Sequence, residues 1–285
     1  MTVQPASPAV ARRLQLILQS IDRIRPLSTS VTRVLNALSS DTAGAGMIAE
    51  LLGLDPALAA NVLQAANSAY LGYGPTCTNL QEAVMRLGFA RIRTITMGVA
   101  ASGSLNHSLP GYRLATGDLW NHSVSVAMAA QWFARSLGFN NPEDAYVAGL
   151  LHDIGKVVLD QFVMMDYNRL YEYAFNNRVS FSKAETMVFS IDHGKVGGLM
   201  AKKWNFPMAL IEAIGGHHQP WMVESQPRLA AVIHIANALA PMDPAMMNRL
   251  GPRELLPEAL EILNLPAEKL ERLRVSMVNF LTGGG

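Results

Sequence analysis

A single cysteine, Cys77, among 285 residues leaves the chain unable to close an internal disulfide, which fits a reducing compartment. Charged residues are also sparse, at 16%, while half of the residues are apolar; that balance excludes a disordered chain and describes a globular one. No apolar run approaches the ~20 residues that a membrane-spanning helix needs, so no membrane association is expected. Met1 to Pro8 lack the charged-then-apolar layout of a secretory signal, and the expected location is cytoplasmic. The first 106 residues contain neither histidine nor lysine. Eight arginines there oppose five acidic residues, for +3, and the remainder carries 15 basic and 17 acidic residues, for −2. A chain so nearly neutral is a poor nucleic-acid binder. Arg86, Arg91 and Arg93, the densest basic cluster, read as a solvated helix face because no aromatics interleave them.

What is present is helical periodicity. Val31, Val34, Leu35 and Leu38 follow the i, i+3, i+4, i+7 spacing of one buried face. Asp55-Pro56 reads as an N-cap followed by proline at the first helical position, and the helix through Ala57 to Tyr70 is placed to stop at Gly72. Asn79 with Glu82 resembles a capping box ahead of Leu80, Val84 and Leu87. Asn141-Pro142 repeats the cap-and-proline start before Ala145 to Leu151, and Ile92 to Thr96 is the one piece ambiguous with strand. The expected fold is all-α in two lobes: residues 1–106, then 107–240, followed by a proline-broken helical tail over 241–285. The Gly-, Ser-, Asn- and Pro-rich stretch Ser102 to Gly117 reads as a linker or surface loop between the lobes. Asn67-Ser68 is expected to brace a neighbouring helix, Lys202-Lys203 to be a solvated helix end, and the 15 methionines to be adaptable core filling that also suits partner faces.

All seven histidines lie between residues 107 and 234. His122 comes first, then Leu150-Leu151-His152-Asp153-Ile154-Gly155-Lys156, then Ile191-Asp192-His193-Gly194-Lys195, then the pair His217-His218. Imidazoles and one carboxylate spread over about a hundred residues meet only through folding. Neutral imidazole with carboxylate suits iron, manganese, zinc and nickel. A His-Asp pair flanked by Ala148, Leu150, Leu151, Ile154, Val157 and Val158 needs a partner, and a metal ion is one of few that offset the burial of a carboxylate. His107, in a polar loop, reads as exposed, and His234 as structural.

Six segments in register carry a family resemblance: Leu54-Asp55-Pro56-Ala57-Leu58, Ala66 to Tyr70, Leu80-Gln81-Glu82-Ala83-Val84 with Leu87-Gly88, Gly149 to Lys156, His193 to Pro207, and His217-His218-Gln219-Pro220. Over roughly residues 25 to 220 the chain resembles the HDOD family, a relative of the HD and HD-GYP phosphohydrolases. The resemblance implies a helical bundle followed by an HD-like helical domain. It implies metal binding by His122, His152, Asp153, His193, His217 and His218, with Lys156 matching the lysine that orients substrate phosphate in active relatives. The expected metals are one or two first-row ions, iron or manganese. On a continuous helix His152 and Asp153 would point about 100° apart and Lys156 would share the face of His152.

Two departures qualify that picture. Where the HD pattern ends in aspartate, the aligned residue is Asn237, whose neutral oxygen does not balance a dication. The Gly-Tyr-Pro stretch of cyclic-dinucleotide phosphodiesterases is missing, and His218 leads into Gln219-Pro220-Trp221. Members of the family are largely regarded as bacterial signalling or regulatory modules. The expectation is therefore a regulatory output module with a partly degenerate metal site, binding signalling proteins through its first lobe or the junction of that lobe with the second. The alternative is a metal-dependent phosphohydrolase acting on a nucleotide or cyclic dinucleotide; a nucleotide-type ligand and Lys156 as a catalytic residue belong with that reading.

Overall fold

The computed structural model describes residues 8–24, 26–40, 42–68, 76–242 and 253–282, and every regular element among them is a helix. Two compact units emerge: Pro26–Gly103, and Met1–Arg25 together with Ser104–Gly285.

After α1 (Pro8–Asp22), the smaller unit holds α2 (Thr29–Leu38), α3 (Ala45–Gly53), α4 (Pro56–Ala66) and most of α5 (Leu80–Leu105). Its helix starts are specified locally. Ser28 accepts a bond from the Val31 amide at 3.2 Å, Asp55 accepts from Ala57 and Leu58 at 3.0 and 3.2 Å, and Asn79 accepts from Glu82 at 2.8 Å. The core gathers Val31, Val34 and Leu38 from α2, Ile48 and Leu52 from α3, Leu58 and Val62 from α4, and Val84, Leu87 and Ile92 from α5. Each such side chain contributes about 1.5–3 kcal/mol when fully buried. The ambiguous Ile92 to Thr96 is helical, with Thr96 Oγ1 donating back to the Ile92 carbonyl at 2.8 Å. Within α5 the backbone breaks at Gly88, whose φ of 73° lies where glycine is favoured.

Polar side chains in this unit tie helix ends. Asn67, at the end of α4, bonds both backbone groups of Cys77, at 2.8 and 2.9 Å, so it braces the non-helical segment ahead of α5 and not a neighbouring helix. The arginine cluster departs from the solvated face read from sequence. Arg86 donates to the Ala66 carbonyl at the end of α4 and pairs with Glu82 at 2.7 Å, and Arg93 donates to the Leu38 carbonyl at the end of α2. Cations at helix C-termini satisfy carbonyls with no intrahelical partner. The helix expected to run to Tyr70 ends earlier, at Ala66, where the Asn67 amide closes the last turn on the Leu63 and Gln64 carbonyls; Gly72, Pro244, Pro252 and Gly283 to Gly285 lie outside the described residues.

The larger unit continues with α6 (Asp118–Ser136), α7 (Pro142–Leu151), α8 (Lys156–Asn177), α9 (Phe181–Phe189), α10 (His193–Lys203) and α11 (Met208–Gly216). A 3-10 turn at Pro220–Met222 leads to α12 (Pro227–Leu239), and α13 (Pro257–Ile262) and α14 (Ala267–Thr282) complete it. α6 packs along α7 and α10 along α11, while α12 crosses α6, α7 and α11. The expected division at residues 106 and 240 is redrawn here. α1 belongs with this unit because it packs on α8, α9 and α10, with Arg13 paired to Asp166 at 3.0 Å and Lys203 Nζ donating to the Ile21 and Asp22 carbonyls. Lys203 thus caps the end of α1 while remaining exposed, and Lys202 is exposed as expected of a solvated helix end. The tail joins the unit through α13 on α12 and α14 on α6.

Two further expectations change. Residues 106–117 are no loose linker: Leu109, Tyr112 and Leu114 are buried, Leu109 and Leu114 form an isolated bridge, and the Tyr112 amide donates to Asp160 on α8 at 3.2 Å. Asn141 precedes α7 without a side-chain cap bond. Of the methionines, Met97, Met200 and Met277 are buried, but Met47, Met85, Met164, Met165, Met187, Met208 and Met222 are exposed, so core filling accounts for a minority of those described.

Candidate metal centre

The site is assembled mostly from helix ends. His122 is the exception, lying in the buried stripe of α6 with Leu119, Val126 and Phe133. His152 caps the C-terminus of α7, Asp153 follows in the turn to α8, His193 opens α10, and His217 caps the C-terminus of α11. Helix C-termini leave carbonyls without partners. At two of them the histidine turns back on its own helix: His152 Nδ1 lies 2.8 Å from the Gly149 carbonyl and His217 Nδ1 lies 2.8 Å from that of Ile214. Each contact requires an Nδ1 proton and so leaves Nε2 as a bare lone pair, the ligand form of imidazole.

These atoms converge. His122, His152 and Asp153 offer ligand atoms within 4.8 Å of one another, and so do His193, His217 and His218. Asp153 joins the two groups. Its Oδ2 lies 3.5 Å from His122 Nε2 and 3.4 Å from His152 Nε2, while its Oδ1 lies 3.0 Å from His193 Nε2. His193 Nε2 in turn lies 2.9 Å from His218 Nε2. All six predicted ligands are brought together, and Asn237 lines the adjoining cavity of about 290 Å³ with His122, Lys156, His193 and His218. His107 is exposed. His234 has both nitrogens engaged, Nδ1 with the His217 carbonyl at 2.9 Å and Nε2 accepting from the Leu256 amide at 3.1 Å, so it braces the site.

Lys156 does not share a helix face with His152. The helix breaks over residues 152–155, and Lys156 opens α8 with its Nζ 2.6 Å from Asp153 Oδ2. The break lets α10 approach: a methyl group on Gly155 would overlap the His193 carbonyl. Gly155→Ala is accordingly expected to cost about 3 kcal/mol through overpacking, read as a lower urea midpoint. Because α10 carries His193, metal uptake by that variant should fall as well.

A cation fits this donor set. The Nε2 atoms of His152 and His217 are buried without a hydrogen-bond partner, a costly arrangement that coordination would relieve. Burial holds His122, His217 and His218 well below the ordinary imidazole range, and His152 below it, so these are neutral donors. Burial alone would raise the Asp153 carboxyl, yet His152, Lys156 and His193 hold it well below the usual carboxylate range. For His193, burial pulls downward, but Glu185 and Asp153 prevail and lift it to about 9.

Glu185 escaped the sequence reading. It is fully buried on α9, where its Oε2 accepts from the His193 amide at 2.8 Å and meets His193 Nδ1 at 2.7 Å. Its Oε1 accepts from Tyr112 Oη at 2.7 Å. A signal existed: Glu185 stands four residues from Phe181 and three from Val188, on the buried stripe of its helix. Tyr112 gave none, being a loop residue. Asp192 caps α10 through the Lys195 amide at 2.9 Å. From the tail, Arg253 donates to the Asn237 and Ala240 carbonyls at 2.7 Å each, and Glu254 pairs with Lys183 at 2.7 Å beside the cavity.

An all-helical unit that closes a His/Asp cluster around a cavity defines an HD-like helical domain with a centre able to hold metal. The chain belongs to the HDOD domain family, whose sequence model matches residues 24–220. An HDOD domain protein of unknown function from Geobacter sulfurreducens has the same fold, at 26% identity and TM-score 0.64, covering 96% of this chain and 95% of that one. A candidate phosphohydrolase of Shewanella amazonensis shares the fold at 24% identity and TM-score 0.69, covering 92% and 93%. An uncharacterized protein of Treponema pallidum is 26% identical over 86% of this chain, which spans 46% of that protein's length. Among the described residues no helix is long and apolar enough to cross a membrane.

Proposed function

We propose that this chain is a regulatory signal-transduction module whose HD-like unit holds one or two first-row metal ions, iron or manganese, without efficient hydrolysis. The observation that carries the reading is Asn237, which stands at the cavity beside the ligand cluster where active relatives of the fold would need a carboxylate. A neutral oxygen lowers the charge available to a second cation. Lys156 supports the same reading, since its Nζ is held by Asp153 at 2.6 Å instead of standing free for a phosphate. Imidazole nitrogens with one carboxylate favour iron or manganese over calcium and magnesium, which take oxygen shells. Partner docking is assigned to Pro26–Gly103, a unit with few groups able to do chemistry on which Met47, Leu54 and Met85 are exposed.

The test is turnover. With saturating manganese or ferrous iron, cyclic dinucleotides and nucleoside phosphates are expected to remain intact over hours. Metal-dependent hydrolysis that vanishes in Asp153→Ala would overturn the regulatory reading in favour of a phosphohydrolase. Asn237→Asp is the companion variant, and a rise from one bound ion towards two would locate the degenerate position.

A further inference from the structure

Glu185 makes three contacts that no other carboxylate near the cluster makes. Both groups of one residue, the His193 amide and His193 Nδ1, meet the same oxygen at 2.8 and 2.7 Å. The Tyr112 hydroxyl meets the other at 2.7 Å. The two-point hold fixes the imidazole against its own backbone, so the ring neither flips nor swings. Its Nε2 is thereby aimed at the centre, 3.0 Å from Asp153 Oδ1 and 2.9 Å from His218 Nε2.

The backing differs around the cluster. His152 and His217 lean on the main-chain carbonyls of Gly149 and Ile214, whereas His193 leans on a carboxyl group. A carboxylate accepting from Nδ1–H makes the opposite nitrogen a stronger donor than a carbonyl does, and such partners typically change metal affinity about 10- to 100-fold. Glu185 has an apolar setting of Phe181, Ala184, Val188 and Phe189, where an unpartnered carboxyl group would be expensive. Tyr112 is itself held: its amide donates to Asp160 at 3.2 Å and its ring packs on Phe181 with centroids 5.7 Å apart. Residues 106–117 therefore reach the centre through a chain of contacts from Tyr112 to Glu185 to His193.

We infer that Glu185, supported by Tyr112, is a positioning residue that orients His193 and strengthens its Nε2 as a metal donor. The inference rests on the cluster being a metal centre, and the experiment separates the two. Mn²⁺ is titrated into the full chain and its two variants, Glu185→Gln and Tyr112→Phe, with free Mn²⁺ counted by electron paramagnetic resonance and metal-free melting followed in parallel. Glu185→Gln keeps the size and an acceptor oxygen. It is expected to weaken Mn²⁺ binding about 10- to 100-fold, in addition to any fall in metal-free melting temperature from removing the buried charge beside His193. Tyr112→Phe should move affinity in the same direction by less. If the unaltered chain takes up no Mn²⁺, the metal centre fails and the inference with it. If the unaltered chain binds and Glu185→Gln binds within threefold of it, the inference alone is overturned. A drop in metal-free stability with affinity unchanged would make Glu185 merely structural. Should Glu185→Gln not fold, Tyr112→Phe decides, and equal affinity there overturns the role.

Discussion

Asp153→Ala is expected to empty the centre of metal and to destabilise the metal-free fold by about 3–5 kcal/mol. Both effects follow from the position of one carboxyl group. Asp153 is 1% exposed and lies within 3.5 Å of a nitrogen on each of His122, His152, His193 and Lys156. It is the carboxylate of both ligand groups taken together, so its loss leaves imidazoles as the only direct ligands, with Glu185 reaching the centre only through His193. Its loss also strands Lys156, 6% exposed, whose Nζ then has no anion in a buried site. Replacing Lys156 with methionine in the same chain should recover most of the stability and none of the metal. Elemental analysis of gently purified protein, with urea midpoints for the single and double variants, checks both parts. Full metal content in Asp153→Ala would remove the centre assigned here. Unchanged stability would mean that Lys156 reaches solvent by a small movement.

A second large effect concerns pH. In the metal-free protein His193 holds its proton up to about 9, because Glu185 and Asp153 outweigh its burial. A metal ion on Nε2 must displace that proton. Apparent affinity is therefore expected to strengthen about tenfold per pH unit between pH 6 and 8, one proton being released per ion, and to level off above pH 9. The stability of the metal-free fold runs the other way for this group. Its folded pKa lies above the unfolded value, so its contribution is complete below the unfolded pKa and is lost as pH rises through about 9. His122, His152, His217 and His218 behave oppositely. Their folded pKa values are depressed, so their contribution is present above the ordinary imidazole pKa and is lost on acidification. Calorimetric Mn²⁺ titrations at several pH values, in buffers of different ionisation heat, report the proton count directly. An affinity flat from pH 6 to 8 would show that His193 is already neutral.

Most of the ligand set was legible in the sequence because its residues sit in short, ordered runs. Local helix signals were legible too: Asp55 and Asn79 cap the helices they precede, and Val31, Val34 and Leu38 form the buried face their spacing requires. What was illegible depends on neighbours distant in sequence. Arg86, Arg93 and Lys203 look like solvated charges until helix ends 20, 55 and 182 residues away supply carbonyls for them. Residues 102–117 have a linker's composition, and only the partners on α8 and α9 explain why Tyr112 is buried. The run from His152 to Lys156 is compatible with a continuous helix, and the turn that interrupts it is set by the approach of α10 to Gly155. Glu185 is the instructive miss. Its place on an apolar stripe was visible, but its meaning required His193 at the other end of the contact.

The placement of the cluster at helix termini has an electrical consequence. Two helices finish at the centre, α7 at His152 and α11 at His217, and two start there, α8 at Lys156 and α10 at His193. Aligned peptide dipoles put roughly half a negative charge at each finishing end and half a positive charge at each starting end. The cluster therefore sits among backbone partial charges of both signs, which offset one another, so the ionised side chains, Asp153 foremost, decide the sign of what the centre holds.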